Sequence, residues 1–331
     1  MKRLGYKNEV IIMAHMIESM GLDVSVLGAS WHGLENPFNG LKTALECMDL
    51  SGINWTVEQA PIFVDGAEVP GMKANIRSSD NVVLGIVSDV YRPVQNHEAF
   101  SFVDSIIGNN EAKYNSAGCL YNKYTRPSRI WISAELQPIS LMGDQVKNYL
   151  VFSHSHDGLN AVKCFVTPVR VVCNNTLTMA IDGTQRSWSC KHTGDVTDKL
   201  NAAQQTLKLS EDYIAALPIM AETMNAINLY DIEVLNLLET LFPDDGTQGK
   251  TRLAQNAGIM RDDILKTYSL KEDIKRFTGT AWGMYQAITD VIEHRSAFRQ
   301  TSTSDLNRSF KVIEGHPVTM RALKLLMSIT A

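Results

Sequence analysis

The chain has no pair of cysteines two residues apart, and its five cysteines, Cys47, Cys119, Cys164, Cys173 and Cys190, are widely and irregularly spaced. An odd, scattered set supports neither a disulfide framework nor a zinc knuckle. Long apolar runs are also missing. Nothing approaches the roughly 18 apolar residues of a membrane span, and the N-terminal run Val10–Met13 is too short for a signal peptide before His15 and Glu18. The expectation is an unanchored protein of a reducing cytoplasm with no membrane partner. An excess of positive charge is absent too: 31 Lys plus Arg face 36 Asp plus Glu, for a net charge of −5. That argues against a surface coated in nucleic acid and leaves room for one basic groove. Finally, there is no G-x-G-x-x-G, Walker loop, G-x-S-x-G or H-E-x-x-H, and no carboxylate cluster of a two-metal nuclease. Gly246-Thr247-Gln248-Gly249-Lys250-Thr251 lacks the glycine spacing of a phosphate loop and reads as a linker. No cofactor is expected, and the balance tilts away from catalysis.

What is present is ordinary globular material, 44% hydrophobic and 20% charged. Its strongest signal runs from Tyr149 to Ile181. An apolar, β-prone stretch reaches Ser155 and meets His156-Asp157-Gly158, a tight-turn signature. A second β-prone arm runs from Leu159 to Val172, with Pro168 marking a bulge or break. Cys173-Asn174-Asn175-Thr176 suits the cap of a helix starting near Leu177.

Upstream, Glu9–Met20 and Asn39–Leu50 read as helices. Residues 53–76 read as a hairpin turning at Asp65-Gly66, with Pro70 demoting its second arm to an edge. Asn81–Ser88 is an interior strand, and Asn96 caps a helix whose buried face is Phe100, Val103, Ile106 and Ile107. Strands Tyr114–Tyr121 and Ile130–Leu136 extend the opening hairpin into one meander, and Ser187–His192 adds another strand. A long helix from Asp198 carries Leu200, Ala203, Leu207, Ile214, Leu217, Ala221 and Met224 at three-four spacing, a stripe suited to a neighbouring subunit, with a kink or end at Pro218. Helical rhythm continues through 232–241, 253–267, 274–294 and 318–329. The fold class is α+β: an antiparallel-sheet meander with flanking helices, then a mainly helical C-terminal region. Its divisions are an N-terminal arm (1–35), a sheet core (36–195) and the helical region (196–331).

Among polar residues, Lys123, Arg126 and Arg129 interleaved with Tyr121 and Tyr124 form the best basic-aromatic cluster, able to track phosphates and stack bases. A solvated turn is the plain alternative. Arg92 and Lys191-His192 are weaker candidates of the same kind. Arg170, alone in an apolar strand, either meets a carboxylate such as Glu135 or binds an anion, and Asn174 and Asn175 either cap or hydrogen-bond a ligand beside it. His154 and His156 share a strand face and with Asp157 are weak metal candidates. An exposed hairpin tip is the preferred reading.

Several ordered motifs carry a resemblance. They are Leu84-Gly85-Ile86-Val87-Ser88, Tyr91-Arg92-Pro93-Val94-Gln95-Asn96 with Glu98-Ala99-Phe100, Ala117-Gly118, Ser155-His156-Asp157-Gly158, Pro168 to Leu177, Lys191-His192-Thr193 and Gly279-Thr280-Ala281-Trp282-Gly283. Together, over roughly residues 30–300, they resemble the phage- and plasmid-borne domain of unknown function 932, which implies a genomic setting but no reaction. The order of elements is also similar to that of Rad-type and Redβ-type single-strand annealing proteins. That likeness implies a phage or plasmid protein that binds and anneals single-stranded DNA as a homo-oligomer, in the host cytoplasm if phage-encoded. The alternatives are a module acting on a host protein, for example against host defence, and an enzyme using His154, His156, Asp157, Arg170 and His192.

Overall fold

The computed structural model describes residues 17–18, 43–107, 112–121, 127–170, 177, 179, 187–192, 196–247, 250–299, 311 and 315–329. They fall into two compact units, each assembled from several stretches of chain. The first takes residues 1–137, 149–166 and 186–210, and the second 138–148, 167–185 and 211–331. The architecture is α+β, with antiparallel sheets and a mainly helical C-terminal region.

Two sheets form where one meander is expected. Strands β2 (Val57–Val64), β3 (Ala67–Arg77) and β4 (Val83–Ser88) form a small antiparallel sheet in chain order. Asp65 and Gly66 both adopt left-handed backbone (φ 51° and 82°), as a two-residue hairpin turn demands. Pro70 does not make β3 an edge; β3 is the central strand. The reason is a break in register: Pro61 pairs with Lys73 and Phe63 with Glu68, so Pro70 falls in a bulge where its missing N–H costs no ladder bond on the β2 side.

Helix α1 (Ala44–Leu50) opens on a Thr43–Glu46 capping box, and helix α2 (Asn96–Ile107) separates the small sheet from the larger one. The larger sheet has the order β1-β5-β6-β8-β9-β10. Its members are β1 (Ile17–Glu18), β5 (Ala112–Tyr121), β6 (Pro127–Leu136), β8 (Asp144–His154), β9 (Val162–Arg170) and β10 (Ser187–Cys190), and β7 (Ile139–Leu141) pairs with β8. A helix is expected across Ile17–Glu18, yet these residues pair with Leu120 and Cys119. Pairing with β5 there overrides local helical rhythm. Tyr149–His154 is buried at every position, which explains its apolar character without alternation. Leu177 and Met179 are buried but not helical, so no helix starts at Leu177; its N–H donates to the Pro168 carbonyl at 2.8 Å.

In the second unit the helices are the later part of α3 (Val196–Ala226), α4 (Asp231–Leu241), α5 (Arg252–Leu270), α6 (Glu272–Lys275), α7 (Ala281–His294) and α8 (Pro317–Ser328). Asp198 lies inside α3 and does not begin it, and Pro218 neither ends the helix nor divides it. Tyr213, Leu217, Ala221 and Met224 are buried in this unit's own core. That portion of the expected intersubunit stripe is already occupied. The single helix expected over 274–294 is two, because the chain turns through Gly279 at φ +87°.

Helix α7 is buried on every side from Ala281 to Val291, the mark of a central helix. Lys271 pairs with the nearly buried Asp290 on it. Gly283 permits the closest approach: a Cβ there would lie 2.2 Å from the Phe277 carbonyl oxygen. Ala is the better helix former, so propensity alone predicts a gain of about 1 kcal/mol for Gly283→Ala. Overpacking against backbone reverses that sign, and a net loss of about 1–3 kcal/mol is expected in urea unfolding.

Candidate functional site: a histidine cluster beneath a basic rim

The first unit places His154, His156 and His192 together in its interior, with exposures of 0%, 1% and 4%. The exposed hairpin tip is therefore corrected: no tight turn forms at Asp157-Gly158. Residues 155–161 make a wider connection whose start is drawn inward, because the rings find aromatic partners. His154 meets His156 edge to face at 4.8 Å between ring centroids and lies 6.3 Å from His192. Phe100 meets His154 at 5.4 Å, Trp55 meets His156 at 5.5 Å, and Tyr91 stacks on His192 at 4.8 Å.

Hydrogen bonds seat the connection on the small sheet. Asn75 Nδ2 donates to the His156 carbonyl at 2.7 Å, and the Tyr91 hydroxyl donates to the Ser155 carbonyl at 3.0 Å. Gly85 on β4 faces Asp157 so closely that a Cβ would sit 2.5 Å from the Asp157 Cα, and one on Gly158 would sit 3.1 Å from Val87 Cγ1. The Arg92 N–H donates to the His192 carbonyl at 2.9 Å. Gln95 bonds the backbone of Val57 twice, accepting at 2.8 Å and donating at 3.0 Å, and so continues the β2 ladder with a side chain.

Asn96 fixes a tautomer. Its Nδ2 donates to the Ile53 carbonyl at 2.7 Å, which turns Oδ1 toward His156 Nε2 at 3.0 Å. An amide oxygen only accepts, so Nε2 carries the proton and Nδ1 is left as an acceptor. Among the described residues neither that Nδ1 nor either nitrogen of His154 has a hydrogen-bond partner. Burial, reinforced by the neighbouring imidazoles, holds His154 well below its ordinary pKa, and burial with His192 brings His156 down to about 3. Both rings are neutral at neutral pH. Burial, with the Asp157 charge, pushes the Tyr91 phenol up.

The metal candidates come apart. Asp157 Oδ1 accepts from Ser155 Oγ at 2.7 Å and from the Leu159 N–H at 2.9 Å, so its carboxylate shapes the connection. Among the described residues no group of three His, Cys, Asp or Glu is arranged to hold a metal ion. The linker beginning at Gly246 leads into a capped helix: Thr251 accepts from the Ala254 N–H at 3.1 Å.

The basic candidates divide by strand register. Tyr121 pairs with Pro127, Ile130 with His154 and Val162 with Cys190, so these positions mark one end of the larger sheet. Arg129, Lys191 and, through its bond to His192, Arg92 belong to that end. Arg92 and Lys191 are exposed. Arg92 also donates to the Asp89 carbonyl at 3.0 Å, and Arg129 donates to Asn160 Oδ1 at 2.6 Å. Lys123, Tyr124 and Arg126 lie outside the described residues, as does the side chain of Tyr121. Arg170 closes β9, eight residues or about 26 Å along the strand from Val162. The Arg170 side chain, Asn174 and Asn175 are outside the described residues, and Glu135, offered as a partner for Arg170, stands opposite Lys113.

Sequence reasoning missed Trp55, Asn75, Gly85 and the inward role of Asn96. An Asn before a helix signals a cap, and only the long-range bonds to Ile53 and His156 reveal its other use.

The fold defines an α+β protein with a small sheet seated on a larger one through a sealed histidine cluster. Residues 83–312 match the family described as Domain of unknown function (DUF932), and the chain belongs to that family. No curated protein and no solved structure matches it. The resemblance motifs around Gly85, Tyr91–Asn96, Ser155–Gly158 and Lys191-His192 meet at this cluster. Replacing Asn96 by Leu leaves the His156 N–H and the Ile53 carbonyl unpaired in the interior. A loss of about 2–4 kcal/mol is expected in denaturant unfolding, from about 1–3 per orphaned group.

Proposed function

We propose that the protein is a phage- or plasmid-encoded binder of single-stranded DNA that assists annealing and assembles as a homo-oligomer. The observation that carries this reading is the gathering of Arg92, Lys191 and Arg129 at the end of the sheet where β5 stops at Tyr121 and β6 begins at Pro127. In it, Arg92 and Lys191 neutralise phosphates, with Lys123 and Arg126 of the turn, while Tyr121 and Tyr124 stack bases. Arg129 positions the rim through Asn160. Assembly along the strand follows the cooperativity usual for sequence-blind binders.

A second reading, a module that docks on a host protein, is favoured by one observation. The small sheet and the turn after it expose apolar side chains: Phe63, Val64, Ile86 and, beyond β4, Val90 are each more than half exposed. It calls for a defined protein partner and no salt-dependent DNA affinity. No described helix is long and apolar enough to cross a membrane.

The test is titration of a labelled oligonucleotide across a range of salt. Arg92→Ala with Lys191→Ala is expected to weaken binding and lower the slope of log K against log salt by about 1.4, two phosphate contacts at about 0.7 each. Absence of any shift at low salt ends the reading. Size exclusion with and without the oligonucleotide checks assembly.

A further inference from the structure

We propose that His154, His156 and His192 form an acid-operated latch that holds the 155–161 connection against the small sheet and releases it, reversibly, in mild acid. This goes beyond the nucleic-acid reading and does not depend on it.

His154 lies 4.8 Å from His156 and 6.3 Å from His192 between ring centroids, and all three rings belong to residues at least nine-tenths buried. Their surroundings offer a cation little. From the stretch before β2 comes Trp55, from α2 come Phe100 and Asn96, and from the 91–95 segment comes Tyr91, whose hydroxyl faces the Ser155 carbonyl. Asp157, the carboxylate of the connection itself, is turned to Ser155 and Leu159. Arg77 of β3 lies over Trp55 at 5.4 Å and is paired with Asp80 at 2.6 Å. Arg92, whose N–H donates to the His192 carbonyl, and Lys191, next to it in sequence, are exposed and bring no carboxylate to the rings. A proton on His154 or His156 therefore meets aromatic faces and other imidazoles.

The same residues are the mechanical link. His156 gives its carbonyl to Asn75 and its ring to Asn96, Ser155 gives its carbonyl to Tyr91, and His192 gives its carbonyl to Arg92. Expelling a charged ring into water detaches the contacts that seat the connection.

The sign follows from linkage. Ring pKa values depressed in the folded state mean that the opened state binds more protons. The latch is thus fully closed above the ordinary histidine value near 6.5 and weakens as pH falls through it toward about 3. Each histidine that becomes charged on opening raises the opening constant by about tenfold per pH unit in that window.

The experiment is hydrogen exchange of the full chain, followed by mass spectrometry between pH 7.5 and 5 and corrected for intrinsic rates. Peptides covering 149–162 are expected to lose protection by about a hundredfold per pH unit below 6, for two histidines, while peptides from α7 stay protected. Return to pH 7.5 restores the original pattern. His154→Phe keeps a ring against Phe100 and removes one of the two groups held down in the folded state, so its pH slope over 149–162 should fall by about tenfold per unit. Protection of 149–162 that is constant from pH 7.5 to 5, or lost in step with α7, overturns the latch. So does an unchanged slope in a folded His154→Phe. Should that variant not fold, the wild-type comparison of the two peptides decides. The readout contains no oligonucleotide, so failure of DNA binding and failure of the latch are separate results.

Discussion

The first unit depends on one costly arrangement: uncharged imidazoles and backbone carbonyls kept from water at the junction of two sheets. A buried amide bond contributes only about 1 kcal/mol net, whereas a donor or acceptor stranded in the interior costs about 1–3. The junction contains both situations. Asn75, Tyr91 and Asn96 satisfy the carbonyls and one ring nitrogen, while His154 lacks hydrogen-bond partners among the described residues and relies on ring contacts. Small-residue contacts at Gly85 and Gly158 make the approach possible in the first place. Directional bonds, ring packing and absent side chains each specify the same position, and this consistency is what selects one arrangement among many compact ones.

A similar logic governs the second unit with different materials. There the central helix α7 carries Gln286, Thr289 and Asp290 into the interior, and the Lys271–Asp290 pair and the Thr289 bond to the Tyr285 carbonyl at 2.9 Å answer part of that polarity. Gly283 lets the preceding turn lie against the helix, as Gly85 lets Asp157 lie against β4. In both units a glycine within a regular element marks the place where backbone meets backbone.

Much of this architecture was legible from local chemistry. Asp65-Gly66 named its hairpin, the run Asn81–Ser88 its strand, though β4 stands at the edge of the small sheet and not in a sheet interior as expected, and the apolar rhythm of 232–241 and 318–329 its helices, because periodicity and turn residues act over a few positions. What escaped was non-local. Ile17–Glu18 are a strand only because β5 lies beside them, and Pro70 sits in a central strand only because a bulge falls there. His154 and His156 looked exposed because Asp157-Gly158 signals a tight hairpin turn, whose tip is ordinarily solvated, and nothing nearby in sequence announces Trp55 or Phe100. Register had the largest effect on the site: the count from Val162 to Arg170 is plain in the sequence, but which residues stand beside each end is fixed by β10 and β6.

The division of the chain also bears on how the protein can be taken apart. Strands β8 and β9 and helix α3 each begin in one unit and finish in the other, and the path passes between units five times. No single cleavage releases an intact half. Three of the five boundaries fall inside β8, β9 and α3, so a fragment ending at one of these carries a severed strand or helix with open backbone groups.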